Sequence, residues 1–241
     1  MTTFALLHGA WHGAWSWSLL VEELEKLGHA GVAVDLPAGD PACGASGCAD
    51  VVLSALAAAG AQDVVVVGHS LGGTSVPLVA ERWPHSRGMI FLASLMPEPG
   101  CSLADIASRA PQSHAPEWAE LSSHLYTYED GSNDWSTAPE VAAQAFYQDC
   151  PEDLARDWSL RLRRQYGTTF NEKTPLREWP DLPTSVIVSA HDRVLSPSWL
   201  RDEAKRRLGV EAIELSSGHT PMGSQPGKVA RLIDELSRGV A

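Results

Sequence analysis

Four β-branched residues in a row, Val64-Val65-Val66-Val67, run without a polar break into Gly68-His69-Ser70-Leu71-Gly72-Gly73. No other stretch restricts the folding of this chain as much. A strand with one wet face alternates apolar and polar residues, so a continuous apolar run predicts a central strand of a parallel sheet, covered on both faces. Parallel neighbours need crossover connections, usually helices. The rest of the chain supplies them. Short apolar runs at 4–7, 31–34, 88–93, 185–189 and 210–215 alternate with segments of helical spacing. The latter include Leu19, Leu20, Leu24 and Leu27 ahead of Gly28, an Ala- and Leu-rich stretch over 50–59, and helices over 199–208 and 229–236. This alternation predicts an α/β fold, a doubly wound and mostly parallel sheet. The interval 97–180 breaks the rhythm: it has helical patterns and a Gly131-Ser132-Asn133-Asp134 turn, but no β-α-β repeat. It reads as a mainly helical cap inserted between two parts of a core, residues 1–96 and 181–241.

Composition narrows the function classes. The 241 residues, 44% hydrophobic and 20% charged, suffice for one well-cored domain with an insertion. With 18 basic and 30 acidic residues the formal charge is −12, which speaks against a nucleic-acid partner. The first residues carry no basic segment followed by an apolar one, and no window approaches the roughly 20 apolar residues that cross a bilayer. These features predict a cytoplasmic protein without a membrane partner. Cys43, Cys48, Cys101 and Cys150 are too few for a disulfide scaffold and lack the companions of a zinc site, so neither metal nor cofactor is expected.

The chemistry is carried by Gly68-His69-Ser70-Leu71-Gly72, a G-x-S-x-G pattern set between a strand and a helix. That context lifts a serine hydroxyl out of a tight turn, and the following helix start favours negative charge nearby. A serine is a poor nucleophile until a base takes its proton. Of nine histidines, His219 follows the last strand in the loop Ser216-Ser217-Gly218-His219-Thr220, on the rim that holds Ser70. His29 and His85 belong to the opposite rim and are expected to be solvated. His114 and His124 fall in the cap, where a surface role is expected and substrate contact is the alternative. The orienting acid should follow a strand between Ser70 and His219, as Asp192 does in Ala190-His191-Asp192-Arg193. Glu98 is the rival acid.

An acyl-transfer site also needs donors for the oxyanion. His8-Gly9-Ala10-Trp11-His12-Gly13-Ala14-Trp15 occupies the loop after the first strand. The backbone N–H groups of Ala10 and Leu71 are the expected donors. His8 and His12, spaced like metal ligands but in a loop, are expected to hydrogen-bond that loop into shape. Trp15 and Trp17 are expected in the core.

These three stretches, His8 to Trp15, Gly68 to Gly73 and Gly218-His219, resemble the plant methyl-esterase and hydroxynitrile lyase family of α/β-hydrolases and its bacterial esterase relatives. The resemblance spans the core and is weakest in the cap. It implies an α/β-hydrolase fold and cofactor-free cleavage of small esters, or reversible cyanohydrin cleavage, by Ser70, His219 and Asp192. Lyases of the family often replace the glycine after the first histidine by a hydroxyl or amide residue, and often carry lysine after the catalytic histidine. This chain has Gly9 and Thr220. The expectation is therefore a carboxylic-ester hydrolase acting through an acyl-enzyme on a small-molecule ester. The alternative is a lyase or a natural-product tailoring enzyme, such as a cyclase, with the same triad. Trp11, Trp118, Tyr126, Phe146 and Tyr147 are the candidate substrate-lining residues. The sequence leaves a homodimer open.

Overall fold

The computed structural model describes residues 1–239. Eight strands run in chain order: β1 (Thr3–Leu7), β2 (Ala30–Ala33), β3 (Val64–Ser70), β4 (Ser86–Ser94), β5 (Tyr126–Thr127), β6 (Asn133–Asp134), β7 (Thr184–Ser189) and β8 (Ile213–Leu215). Six of them make one sheet in the order β2-β1-β3-β4-β7-β8, with every neighbouring pair parallel. β5 and β6 form a separate antiparallel ribbon.

The valine run behaves as a doubly covered strand must. Val64 to Val67 pair with Thr3 to Leu6 on one side and with β4 on the other. All four are 0% exposed. The pleat sends them alternately to two cores. Val65 and Val67 meet α1 (Ser18–Lys26) and α11 (Pro226–Arg238) through Leu20, Leu24, Val229 and Ile233. Val64 and Val66 meet α2 (Ala45–Ala58), α3 (Val76–Arg82) and α9 (Pro197–Glu203). Between β4 and β7 the chain forms α4 (Leu103–Arg109), α5 (Trp118–Ser122), α6 (Pro139–Phe146), α7 (Glu152–Leu160) and α8 (Thr168–Asn171), with the β5–β6 ribbon among them. A short α10 (Pro221–Ser224) precedes α11. No helix among the described residues is long and apolar enough to cross a membrane.

Several boundaries move from the sequence-based expectation for local reasons. α2 starts at Ala45 rather than near 50, because the Glu172 carboxylate takes the Ala45 N–H at its first turn. The helix expected over 199–208 is α9 followed by a π-helical turn, Ala204–Leu208, ended by Gly209 at φ 68°. The last strand is correspondingly short, with residues 210–212 spent on the connection. α11 starts earlier than 229 because Pro226 presets its first turn.

The strand order sets the place of the site. From β1 the chain crosses to β2 on one side, and β3 then pairs on the other side of β1. The loops after β1 and β3 therefore diverge at their carboxyl ends and open a crevice at this switch point. Ser70 closes β3, and the His8–Trp15 loop leaves β1.

Candidate active site

Ser70 is the last residue of β3 and sits at φ 51°, ψ −121°. A residue with a Cβ takes positive φ at a cost of about 1–3 kcal/mol, and does so only where its surroundings overdetermine it. Here the Ser70 carbonyl accepts both the Leu95 N–H at 3.0 Å and the Ser94 hydroxyl at 2.8 Å. The turn then closes onto the end of β1. A Cβ on Gly72 would lie 2.4 Å from the Leu7 carbonyl oxygen and 2.6 Å from that of His8. Both obstacles are backbone, which gives the last glycine of G-x-S-x-G its reason.

Asp192 follows β7 and His219 follows the adjacent β8, so both arrive at the rim that carries Ser70. The His219 Nδ1 lies 2.8 Å from Asp192 Oδ2, with side chains 1% and 0% exposed. The other carboxylate oxygen, Oδ1, accepts the N–H groups of Val194 at 2.7 Å and Leu195 at 3.0 Å. A carboxylate filled in this way accepts only, so Nδ1 donates and Nε2 is left with its lone pair. The His69 Nε2–H donates to the His219 carbonyl at 2.8 Å, and the two rings lie 4.8 Å apart. The neighbour of the serine thus holds the histidine loop. Burial, with His219 and His12 adding to it, keeps the His69 pKa well below the ordinary imidazole value.

The loop after β1 is built around two neutral imidazoles, as expected. The His8 Nδ1–H donates to the Gly9 carbonyl at 2.8 Å, while Nε2 accepts the Leu36 N–H at 2.9 Å. The His12 Nδ1–H donates to the Ala10 carbonyl at 2.6 Å, and the Tyr147 hydroxyl donates to Nε2 at 2.8 Å. Burial pushes His8 down to about 4 and His12 down to about 3. A Cβ on Gly9 would lie 2.8 Å from Ser70 Cβ and 3.4 Å from its Oγ, so this loop passes directly against the hydroxyl. Trp11 in the same loop has φ 62°. Ala10 and Leu71 are both buried, and among the described residues neither amide donates to a backbone carbonyl.

The proposed lining residues separate into three groups. Trp11, Trp118 and Phe146 cluster with ring separations of 5.8 to 6.3 Å, and Phe146 lies 5.9 Å from the His219 ring. Tyr147 is buried behind them with its hydroxyl on His12, a supporting position. Tyr126 does not belong to the cluster: it is 46% exposed on β5 and packs on Tyr128 at 4.7 Å. Its place in a two-residue ribbon turns it to the surface. Trp135, which sequence reasoning passed over, is 1% exposed and lies 5.4 Å from Phe146. Trp15 is only half-buried and stacks on His12 at 5.6 Å, whereas Trp17 is fully buried.

Other histidines and the rival acid also find places. Glu98 is taken up by Arg109, Arg206 and Arg207. His29 is not solvated: the Thr2 N–H donates to Nδ1, and Nε2–H donates to Asp234 at 3.0 Å. His114 stacks on Trp118 at 6.0 Å and lines an apolar cavity of about 170 Å³ with Leu95, Leu103, Ile106, Phe170 and Trp199. Burial lowers its pKa, with Asp192 opposing. Leu95 in that wall is the residue whose amide holds the Ser70 carbonyl. No spacing in the sequence pointed to this cavity, because its walls come from five separate segments.

The comparisons agree with this architecture. A family model described as "Alpha/beta hydrolase family" matches residues 4–232. Salicylic acid-binding protein 2 of Nicotiana tabacum is 33% identical, covering 97% of this chain and 96% of that protein. Methyl jasmonate esterase 1 of Vitis vinifera is 29% identical, covering 97% and 95%. Among solved structures, polyneuridine aldehyde esterase superposes with a TM-score of 0.81 at 21% identity, covering 98% of this chain and 99% of that one, a likeness of fold. The expectation of a carboxylic-ester hydrolase agrees with the name of the Vitis vinifera relative. A doubly wound parallel sheet, a serine on a strained turn at its switch point and a match over nearly the whole length together mean that this chain belongs to the alpha/beta hydrolase family, among relatives of the plant methylesterase type.

Proposed function

We propose that the chain hydrolyses small carboxylic esters through an acyl-enzyme on Ser70. His219 Nε2 takes the hydroxyl proton as Oγ attacks the ester carbonyl, then returns it to the departing alcohol. Water, deprotonated by the same nitrogen, releases the acid. Asp192 holds the His219 tautomer and stabilises the imidazolium without taking its proton. The Ala10 and Leu71 amides receive the oxyanion. Residues 97–180 serve as the cap, and the apolar cavity beside Leu95 and His114 takes one uncharged group of the substrate. At about 170 Å³ it compares with engineered cavities of roughly 150 Å³ that take up benzene.

The observation that carries this reading is the buried 2.8 Å contact from His219 Nδ1 to Asp192, with Ser70 on a positive-φ turn of a nearby strand. It leaves the other nitrogen, Nε2, as the one that takes and returns the proton. Gly9 favours ester cleavage over the lyase alternative, since any side chain there would press on the serine. The test is turnover of p-nitrophenyl acetate by wild type and Ser70→Ala, beside cyanide release from mandelonitrile. Ester turnover should fall by several orders of magnitude in the variant. Turnover that survives Ser70→Ala, or cyanide release without esterase activity, overturns the assignment.

A further inference from the structure

A single tetrapeptide at the end of α6 touches three loops of the site, those after β1, β7 and β8. Phe146 packs its ring 5.9 Å from that of His219. Tyr147 donates its hydroxyl to His12 in the loop after β1, at 2.8 Å. Gln148 Nε2 donates to the His191 carbonyl, next to Asp192, at 2.7 Å. Asp149 Oδ2 accepts the Gly218 N–H, next to His219, at 2.7 Å. Gly218 is fitted to this contact: a Cβ there would lie 2.5 Å from Gln148 Nε2 and 2.6 Å from Asp149 Oδ1.

We propose that residues 146–149 form a positioning strap, by which the segment between β4 and β7 sets the catalytic geometry of the base, acid and oxyanion loops together. The inference rests on the triad reading above. Its logic is mechanical. His69 fixes the His219 carbonyl from below, while Asp149 fixes the preceding amide from the side of the inserted segment. The Gly218-His219 dipeptide is thus held at both ends, through the Gly218 N–H and the His219 carbonyl, and the direction of the imidazole follows from it. Gln148 does the same for the peptide preceding Asp192. None of the hydrogen-bonding groups of the strap needs to touch substrate. Their loss should therefore appear in the rate of the chemical step and not in affinity.

The experiment measures p-nitrophenyl acetate kinetics and the rate of Ser70 labelling by a fluorophosphonate, for wild type, Asp149→Ala, Asp149→Asn, Gln148→Ala and Ser70→Ala. Misplacing a reacting group by an ångström can cost on the order of 100-fold. We expect Asp149→Ala to lower kcat and the labelling rate by about 10- to 100-fold, with KM changed less than about threefold. Asp149→Asn keeps a carbonyl acceptor for Gly218 and should recover most of that loss. Gln148→Ala, at a second loop, should lower kcat by about three- to tenfold with an unchanged melting temperature. The strap is overturned by any of three results: kcat within twofold of wild type in both alanine variants, a loss confined to KM, or equal losses in Asp149→Ala and Asp149→Asn. If Ser70→Ala retains turnover, the triad reading itself has failed. If only the strap variants are silent, the triad stands and the strap does not.

Discussion

Acid should destabilise this protein well before its carboxylates titrate, and the two imidazoles of the loop after β1 set the size of the effect. His8 and His12 are 2% and 1% exposed and hydrogen-bonded in their neutral forms. Burial depresses their pKa values from 6.5 to about 4 and about 3. In the unfolded chain each binds a proton near 6.5, so below that pH protonation favours unfolding. The stability held by the neutral rings is complete above about pH 6.5 and drains as pH falls toward 4 for His8 and 3 for His12. At pH 5 each ring has lost about 1.5 pH units of linkage at 1.36 kcal/mol per unit, roughly 2 kcal/mol, and the pair roughly 4 kcal/mol. That is a large part of the 5–15 kcal/mol typical of a folded domain. Urea unfolding followed by tryptophan fluorescence at half-unit steps from pH 8 to 5 measures it. His12→Gln removes one titrating ring, so its stability curve should be flatter than that of wild type by about 1.2 kcal/mol between pH 6 and 5. His69 adds in the same direction in both proteins and cancels in the difference. Parallel curves for wild type and His12→Gln would refute the reasoning, whatever the absolute stabilities.

Two further outcomes follow from contacts already described. Tyr147→Phe removes the hydroxyl that fills His12 Nε2 and leaves a buried acceptor without a partner, so unfolding should become easier by about 1–3 kcal/mol, read as a lowered urea midpoint with an unchanged slope. Gly9→Ala puts a methyl group 2.8 Å from Ser70 Cβ. Esterase kcat should drop by about 100-fold, as expected when a nucleophile is displaced, while far-UV circular dichroism stays that of wild type.

How much of this was legible in the sequence depended on the range of the physics involved. β3 and its turn were readable because their causes are local: the valines demand cover on both faces, and Gly72 stands where the turn meets the backbone of β1. Asp192 and His219 were placed by chain order alone, since each ends a strand on the same rim. The roles of His8 and His12 followed from loop context. Tyr126 misled because an aromatic in the inserted segment looks the same whether it faces a pocket or water, and only the pairing of β5 with β6 decides. Trp135, Gln148 and Asp149 were invisible for the same reason in reverse, and His114, expected at the surface, was misplaced by it. Their partners are far along the chain, at Trp11, His191, Gly218 and Leu195. The start of α2 was missed because its first amide is satisfied by Glu172, more than a hundred residues away.

The distribution of charge-bearing groups around Ser70 has its own logic. Four imidazoles, His8, His12, His69 and His219, lie within one buried patch, yet only His219 has a carboxylate against its ring. The other three satisfy carbonyls or accept from amide, hydroxyl and guanidinium donors, and burial keeps them uncharged at neutral pH. Were any of them protonated, its charge would sit close to the position where the proposed mechanism forms an imidazolium on His219, and would oppose it. Removing water from these rings therefore does two things with one arrangement. It fixes the loop that carries the proposed oxyanion donors, and it leaves Asp192 as the one charged group against the His219 ring. One ring with a carboxylate behind it among neutral neighbours is what the proposed acyl-transfer chemistry needs from a cluster of otherwise equivalent bases.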